Sequence, residues 1–87
     1  MKIVLNRNYG LFHPGPGFCK EYHYADPWDW DGERTDEELV EWVEEHPDDN
    51  PDLKVIEFSD DATDWQTCDY DGKERLIVVI HGKIWWY

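Results

Sequence analysis

Basic residues are scarce in this chain. Eight lysines and arginines stand against 21 aspartates and glutamates in 87 residues, a formal net charge of −13. The shortage is local. No lysine or arginine occurs from Asp36 to Leu53, and residues 21–64 hold 18 acids against Arg34 and Lys54 alone. Residues 1–20 carry Lys2, Arg7 and Lys20 and no acid, while residues 65–87 balance three acids with three bases. Such a distribution repels nucleic acid and anionic membrane, and favours basic surfaces or metal ions as partners. Long apolar runs are also missing. Nothing approaches the ~20 apolar residues of a membrane span. The opening "MKIVLNRNYG" has an apolar run of three, too short for the core of a secretory signal. The expectation is a cytoplasmic protein, with its two cysteines, Cys19 and Cys68, as free thiols. Ser59 stands near no histidine, and Cys19 near His23 lacks a third partner, so no catalytic triad is legible.

What is present is a globular composition: 40% hydrophobic and 16% aromatic residues, including 6 tryptophans. The length fits a single domain, 1–87. A domain of this size buries only roughly 60% of its unfolded surface, so its core must be compact and rich in aromatics.

"KIVL" (Lys2–Leu5) reads as a strand. Gly10, Pro14, Gly15, Pro16 and Gly17 then exclude helix or central strand, and a long loop runs from about Asn6 to Arg34, broken at most by a short element near Phe18–Tyr24. "TDEELVEWVEEHP" is the clearest element. Thr35 and Glu38 suit a capping box. Leu39, Trp42, Val43 and His46 fall on one face, and Pro47 ends the helix. Strands follow at Lys54–Phe58, Trp65–Tyr70, Lys73–Ile80 and Lys83–Tyr87, the last three joined by turns at Asp71-Gly72 and His81-Gly82. The expected fold is α+β: one amphipathic helix packed on a mainly antiparallel sheet of four to five strands, ending in a three-stranded meander.

Four segments carry a resemblance: "MKIVLNRNYG", "RTDEELVEWVEE", "DLKVIEFSDDATDW" and "YDGKERLIV". They resemble a group of small proteins of tailed phages and bacterial genomes that begin with a strand followed by Cys-Tyr-Gly-Gly-Phe. The likeness covers most of the chain outside residues 11–33. It implies a phage or prophage origin and a shared fold, and no mechanism. Asn8-Tyr9-Gly10-Leu11-Phe12 stands in place of the motif, so a thiol role at that cysteine is absent. His13–Trp30 replaces what looks like an amphipathic helix in the others.

Three features could carry function. His13, Cys19, His23 and Asp26 are donors that zinc accepts, but their spacing matches no common zinc motif, and no metal or other cofactor is expected. Gly15-Pro16-Gly17 could form a backbone nest for an anion, or simply a stiff turn. "YHYADPWDWDGER" (Tyr22–Arg34) threads acids among aromatic rings. Its Trp28 and Trp30 either fold back as a lid over the second face of the sheet, where alternation along "KIWWY" leaves one tryptophan uncovered, or form an exposed binding edge with Asp29 and Asp31.

The helix carries the sharpest physical signal. Glu37, Glu41 and Glu45 form a like-charge i, i+4 ladder with Glu44 beside it, and each like pair costs roughly 0.2–0.5 kcal/mol. A soluble face explains acidity, but not the total absence of lysine. A basic partner would recover the energy on binding. The leading expectation is therefore a non-enzymatic, phage-type inhibitor. Its acidic band (Glu37, Glu41, Glu44, Glu45, Asp48 and Asp49, with Trp28, Asp29, Trp30 and Asp31) would occupy a basic groove of a nucleic-acid-binding host protein. It would do so as DNA mimics act against restriction or CRISPR systems, since duplex DNA presents one charge per ~1.7 Å of axis. Direct nucleic-acid or membrane binding is not expected. The alternative is a protein that sequesters a small ligand or nucleotide with the aromatic loop. A metal-dependent enzyme or toxin ranks third.

Overall fold

A computed structural model describes all 87 residues. Its centre is a two-stranded antiparallel ribbon, β1 (Lys2–Asn6) with β2 (Leu53–Glu57), in the register Ile3↔Ile56 and Val4↔Val55. Side chains alternate across a strand, and here both faces of the ribbon are used. Val4, Leu53 and Val55 pack against Leu39, Val40 and Val43 of the nine-residue helix α2 (Glu37–Glu45). Ile3, Leu5 and Ile56 pack on the opposite side against Leu76 and Val78. Those two belong to a separate sheet, the meander β3 (Ala62–Tyr70), β4 (Lys73–Ile80) and β5 (Lys83–Trp86). The result is three layers: helix, ribbon, meander. Burial on both faces explains why Ile3-Val4-Leu5 is an unbroken apolar run.

The fold class is α+β, but there are two sheets rather than one of four to five strands. The reason lies at the free edge of β1. The Val4 amide donates to the Arg34 carbonyl at 2.9 Å and the Asn6 amide to Glu74 Oε1 at 2.7 Å, so no further strand can add there. Glu74 Oε1 also receives Arg34 Nη1 at 2.5 Å. The loop and a buried-side carboxylate thus close an edge that would otherwise be open to pairing.

The meander turns where the dipeptides indicate. Asp71 and Gly72 have φ of +51° and +92°, and His81 and Gly82 have +51° and +76°, the left-handed pairs that tight hairpins require. Gly72 has a second reason to be glycine, because a Cβ there would lie 1.6 Å from the Gly10 carbonyl oxygen. The Asn6 side chain bridges the same place, donating to the carbonyls of Gly10 and Gly72.

Helix α2 starts one residue later than the capping-box reading has it. Asp36, not Thr35, is the N-cap, accepting from the Glu38 amide at 2.9 Å. Val40 joins Leu39 and Val43 in the buried stripe, whereas Trp42 is half-buried and His46 is exposed, stacked on Trp42 at 3.8 Å. The helix ends at Glu45, so His46 sits beyond the last turn that faces the ribbon. In the long loop a short helix α1 (Pro16–Glu21) buries Phe18 and Cys19. His23, at φ +64°, reverses the chain after it, and the Tyr24 amide returns to the Cys19 carbonyl at 2.8 Å. Strand β3 begins three residues before Trp65 and carries a bulge between Ala62 and Asp64.

Candidate functional site: the acidic groove and the aromatic cleft

Helix α2 and the start of β1 enclose a groove of about 420 Å³ lined by Met1, Lys2, Thr35, Glu37, Val40, Glu41 and Glu44. Successive glutamates at i and i+4 lie about 6 Å apart along the axis, and nothing on the helix neutralises them. One cation enters from the ribbon. Lys2 Nζ lies 2.9 Å from Glu44 Oε2 and 4.0 Å from Glu57 Oε2. The Glu44 carboxylate, by hydrogen bond and charge, raises the Lys2 pKa. Glu37 and Glu41 have no ion-pair partner. Of the predicted acids, the structure thus brings Glu37, Glu41 and Glu44 together in one groove. Glu45 lies outside it. Burial, then Glu38, Glu21, Glu41 and Glu45, raise the Tyr22 hydroxyl pKa, which marks a second acidic rim on the loop side of the helix.

Asp48 is exposed, but Asp49 is not part of that surface. Its carboxylate sits in the nest made by Gly15-Pro16-Gly17. The Gly17 amide donates at 2.8 Å, the Phe18 amide at 3.1 Å and Trp42 Nε1 at 2.9 Å. A Cβ at Gly15 would come within 2.3 Å of Asp49 Oδ2, so the glycine is needed for the carboxylate to approach. Burial pushes the Asp49 pKa up, but the Gly17, Trp42 and Phe18 donors and nearby His46 outweigh it and hold it below the ordinary carboxylate value. The anion nest is real, and its anion is the chain's own. Asp49 ties the loop to the helix and is withdrawn from the partner-facing set.

The aromatic loop forms a second concavity, also about 420 Å³, lined by Leu11, Phe12, Trp28, Trp30, Arg34, Asp69, Gly72 and Glu74. Trp30 is half-buried against Phe12 at 5.4 Å, and the Arg34 guanidinium lies 3.5 Å from the Phe12 ring centre. Trp28 is 57% exposed, with its ring 5.3 Å from that of His13. Asp26 caps the 3₁₀ turn Pro27–Asp29 that holds Trp28 outward, and Asp29 and Asp31 are exposed. Neither tryptophan reaches the outer face of the meander. The loop covers the helix side of the molecule because Tyr22, Tyr24 and Trp30 join the cluster around Phe18 and Leu39. Arg34 and Thr35 are neighbours in sequence, one lining the cleft and the other the groove, so the two concavities flank the segment that crosses the free edge of β1. Leu11, Asp69 and the Arg34–Glu74 pair were not marked by the sequence. Their only local signal is an apolar Leu11-Phe12 pair inside a turn-rich loop.

The three metal candidates do not converge. His13 is half-buried with Nδ1 3.0 Å from the Pro14 carbonyl oxygen, His23 is exposed, and Cys19 is buried. No group of three His, Cys, Asp or Glu side chains is arranged to hold an ion. Burial, then Asp49, Asp26 and Asp29, raises the Cys19 thiol pKa, which makes it a poor nucleophile. Cys19 and Cys68 form no disulfide. No helix is long and apolar enough to cross a membrane. No protein-family model, curated protein or solved structure matches this chain.

Proposed function

We propose that this protein is a non-catalytic, phage-type inhibitor whose acidic helix docks on the basic groove of a nucleic-acid-binding host protein, taking the place of nucleic acid there. One observation carries the reading: Glu37 and Glu41 line an open groove with no cation of their own, on a helix without a single basic residue. A carboxylate ladder of this kind costs helix stability, and arginines or lysines of a partner would turn each repulsive pair into an attractive one. Glu44 already shows the mode of contact with Lys2. Targets in restriction or CRISPR systems fit the charge pattern, because their DNA-binding grooves are basic.

The test is capture from bacterial lysate on the immobilised domain, with Glu37→Lys/Glu41→Lys alongside. Wild type should retain a nucleic-acid-binding protein that elutes as salt rises, and the charge-reversed domain should not. Equal retention by both, or retention unchanged in half-molar salt, overturns the proposal.

A second reading, sequestration of a small ligand, is favoured by the exposed Trp28 beside the cleft of Phe12 and Trp30. The cleft's one cation is already paired with Glu74, so a planar neutral or cationic ligand suits it and an anionic one does not. Quenching of tryptophan fluorescence by nucleosides, lost in Trp28→Ala, distinguishes this reading.

A further inference from the structure

The outer face of the meander is apolar and uncovered. In the register of the sheet, Gln66, Ile77 and Trp86 form one cross-strand row and Asp64, Val79 and Ile84 the next. Directly paired residues share a face, so Ile77, Val79, Ile84 and Trp86 point the same way. That way is opposite to Leu76 and Val78, which are fully buried against the ribbon. Ile84 is 64% exposed and Trp86 56%. The helices lie on the far side of the ribbon. The loop after β1 reaches the meander only towards its Asp71-Gly72 end, where Tyr9 meets Tyr70 and Gly10 meets Gly72, so Ile84 and Trp86 stay uncovered.

We infer that this face is the contact surface of a weak two-fold dimer, with a second copy of this chain as its occupant. Two observations select a second copy. First, charge: at −13 two copies repel each other through their acidic middle halves, whereas residues 65–87, which supply most of this face, are neutral overall. Second, the face is complementary to itself. Arg75 precedes the Ile77 row and Asp64 lies in the row after it, so opposite charges sit at opposite ends of the apolar strip. A two-fold axis near Ile77 makes each contact twice, as isologous interfaces do. It brings Ile77 and Trp86 against their own copies and Arg75 of one copy to the Asp64 end of the other. Both charged side chains are exposed, and Arg75 already lies over Trp86 at 5.4 Å. Face-to-face sheets pack about 10 Å apart. Strand spacing gives β4 and its neighbours a footprint of roughly 27 by 14 Å, below the ~800 Å² per partner of a standard interface. The dimer is therefore concentration-dependent rather than obligate. Because α2 lies on the other side of the ribbon, dimerisation leaves both acidic grooves open and displays two of them from one particle.

Sedimentation equilibrium on the whole chain tests this, from about 5 to 500 μM, in 0.05 and 0.5 M salt. Dimer should appear within that range and should be favoured by the higher salt, which screens repulsion between the acidic bodies. That sign is opposite to the one expected for binding a basic partner, so the two proposals fail separately. Trp86→Glu should abolish the dimer, and an unchanged circular dichroism spectrum confirms its fold. Arg75→Asp and Asp64→Arg should each weaken association about tenfold, and the two together should restore it to within about threefold. Monomer throughout in 0.5 M salt overturns the inference. So does a dimer indifferent to Trp86→Glu, or a double charge swap no better than either single one.

Discussion

Replacing Asp49 by alanine should be among the most damaging changes to an acid in this protein. The substitution strips the acceptor from the Gly17 amide, the Phe18 amide and the Trp42 indole, at 2.8, 3.1 and 2.9 Å. A hydrogen bond to a charged group is worth about 1.5–3 kcal/mol, and a buried donor left unmatched costs a comparable amount. Asp49 is only partly buried, so water can reach some of the vacated donors, and the three contributions do not add in full. A loss of about 3 kcal/mol is the reasoned figure. In a domain of this size each kcal/mol shifts the melting temperature by about 4–8 °C, which gives a fall of about 12–24 °C by circular dichroism at pH 7. The neighbouring Asp48→Ala, at an exposed position without such partners, should stay within about 0.5 kcal/mol of wild type. The pH dependence has a definite sign. Asp49 titrates below its ordinary value in the folded chain. Its contribution is therefore complete above the unfolded carboxyl pKa of about 3.9 and is lost as pH falls through the lower, folded-state value. The gap between wild type and Asp49→Ala should close in acid. An alanine variant as stable as Asp48→Ala, or a gap that persists undiminished to pH 2, would refute the reasoning.

Three further outcomes follow from the same geometry. Gly72→Ala should unfold the protein or cost well over 3 kcal/mol, because the backbone at Gly10 must move. Gly82→Ala, with a positive φ but open space around it, should cost only the ~1–2 kcal/mol of the left-handed conformation; equal effects in urea melts contradict the Gly10 contact. Glu41→Lys should stabilise the isolated domain by about 1 kcal/mol, as two repulsive pairs with Glu37 and Glu45 become attractive, and a loss of stability would show that Glu41 has a structural role. With a thiol reagent in native buffer, exposed Cys68 should react at once and buried Cys19 only on unfolding; two equivalents consumed rapidly would mean that α1 does not protect Cys19.

The parts of the fold that were legible are those set by local chemistry. Asp71-Gly72 and His81-Gly82 are pairs suited to left-handed backbone, and they mark both turns of the meander. What was not legible depends on distant partners. Nothing near β1 indicates that its second edge is closed by Glu74 and the Arg34 carbonyl, 68 and 30 residues away in sequence, and that closure is what divides the strands into two sheets. The cap moves from Thr35 to Asp36 because the next residue is also a good N-cap, and its carboxylate accepts from the Glu38 amide. Of the candidate site, the ladder Glu37–Glu41–Glu45 could be read from spacing. Asp49, identical in type to its neighbour Asp48, could not be told from a surface acid until the Gly-Pro-Gly turn was seen wrapped around it. Of the two arrangements open to the loop tryptophans, the lid over the outer face of the meander is not the one formed. Trp30 packs on the helix side and Trp28 is exposed, and periodicity says nothing about which side of the ribbon a long loop covers.

The central claim is that the acidic helix occupies a nucleic-acid site, and competition measures this directly. A captured host protein is held on the immobilised domain while a short duplex of DNA is titrated in at constant salt. DNA should displace the protein in a saturable manner, the domain should reciprocally displace DNA from the same protein, and Glu37→Lys/Glu41→Lys should do neither. A ternary complex in which DNA and the domain are bound together, each without effect on the other's affinity, would contradict it.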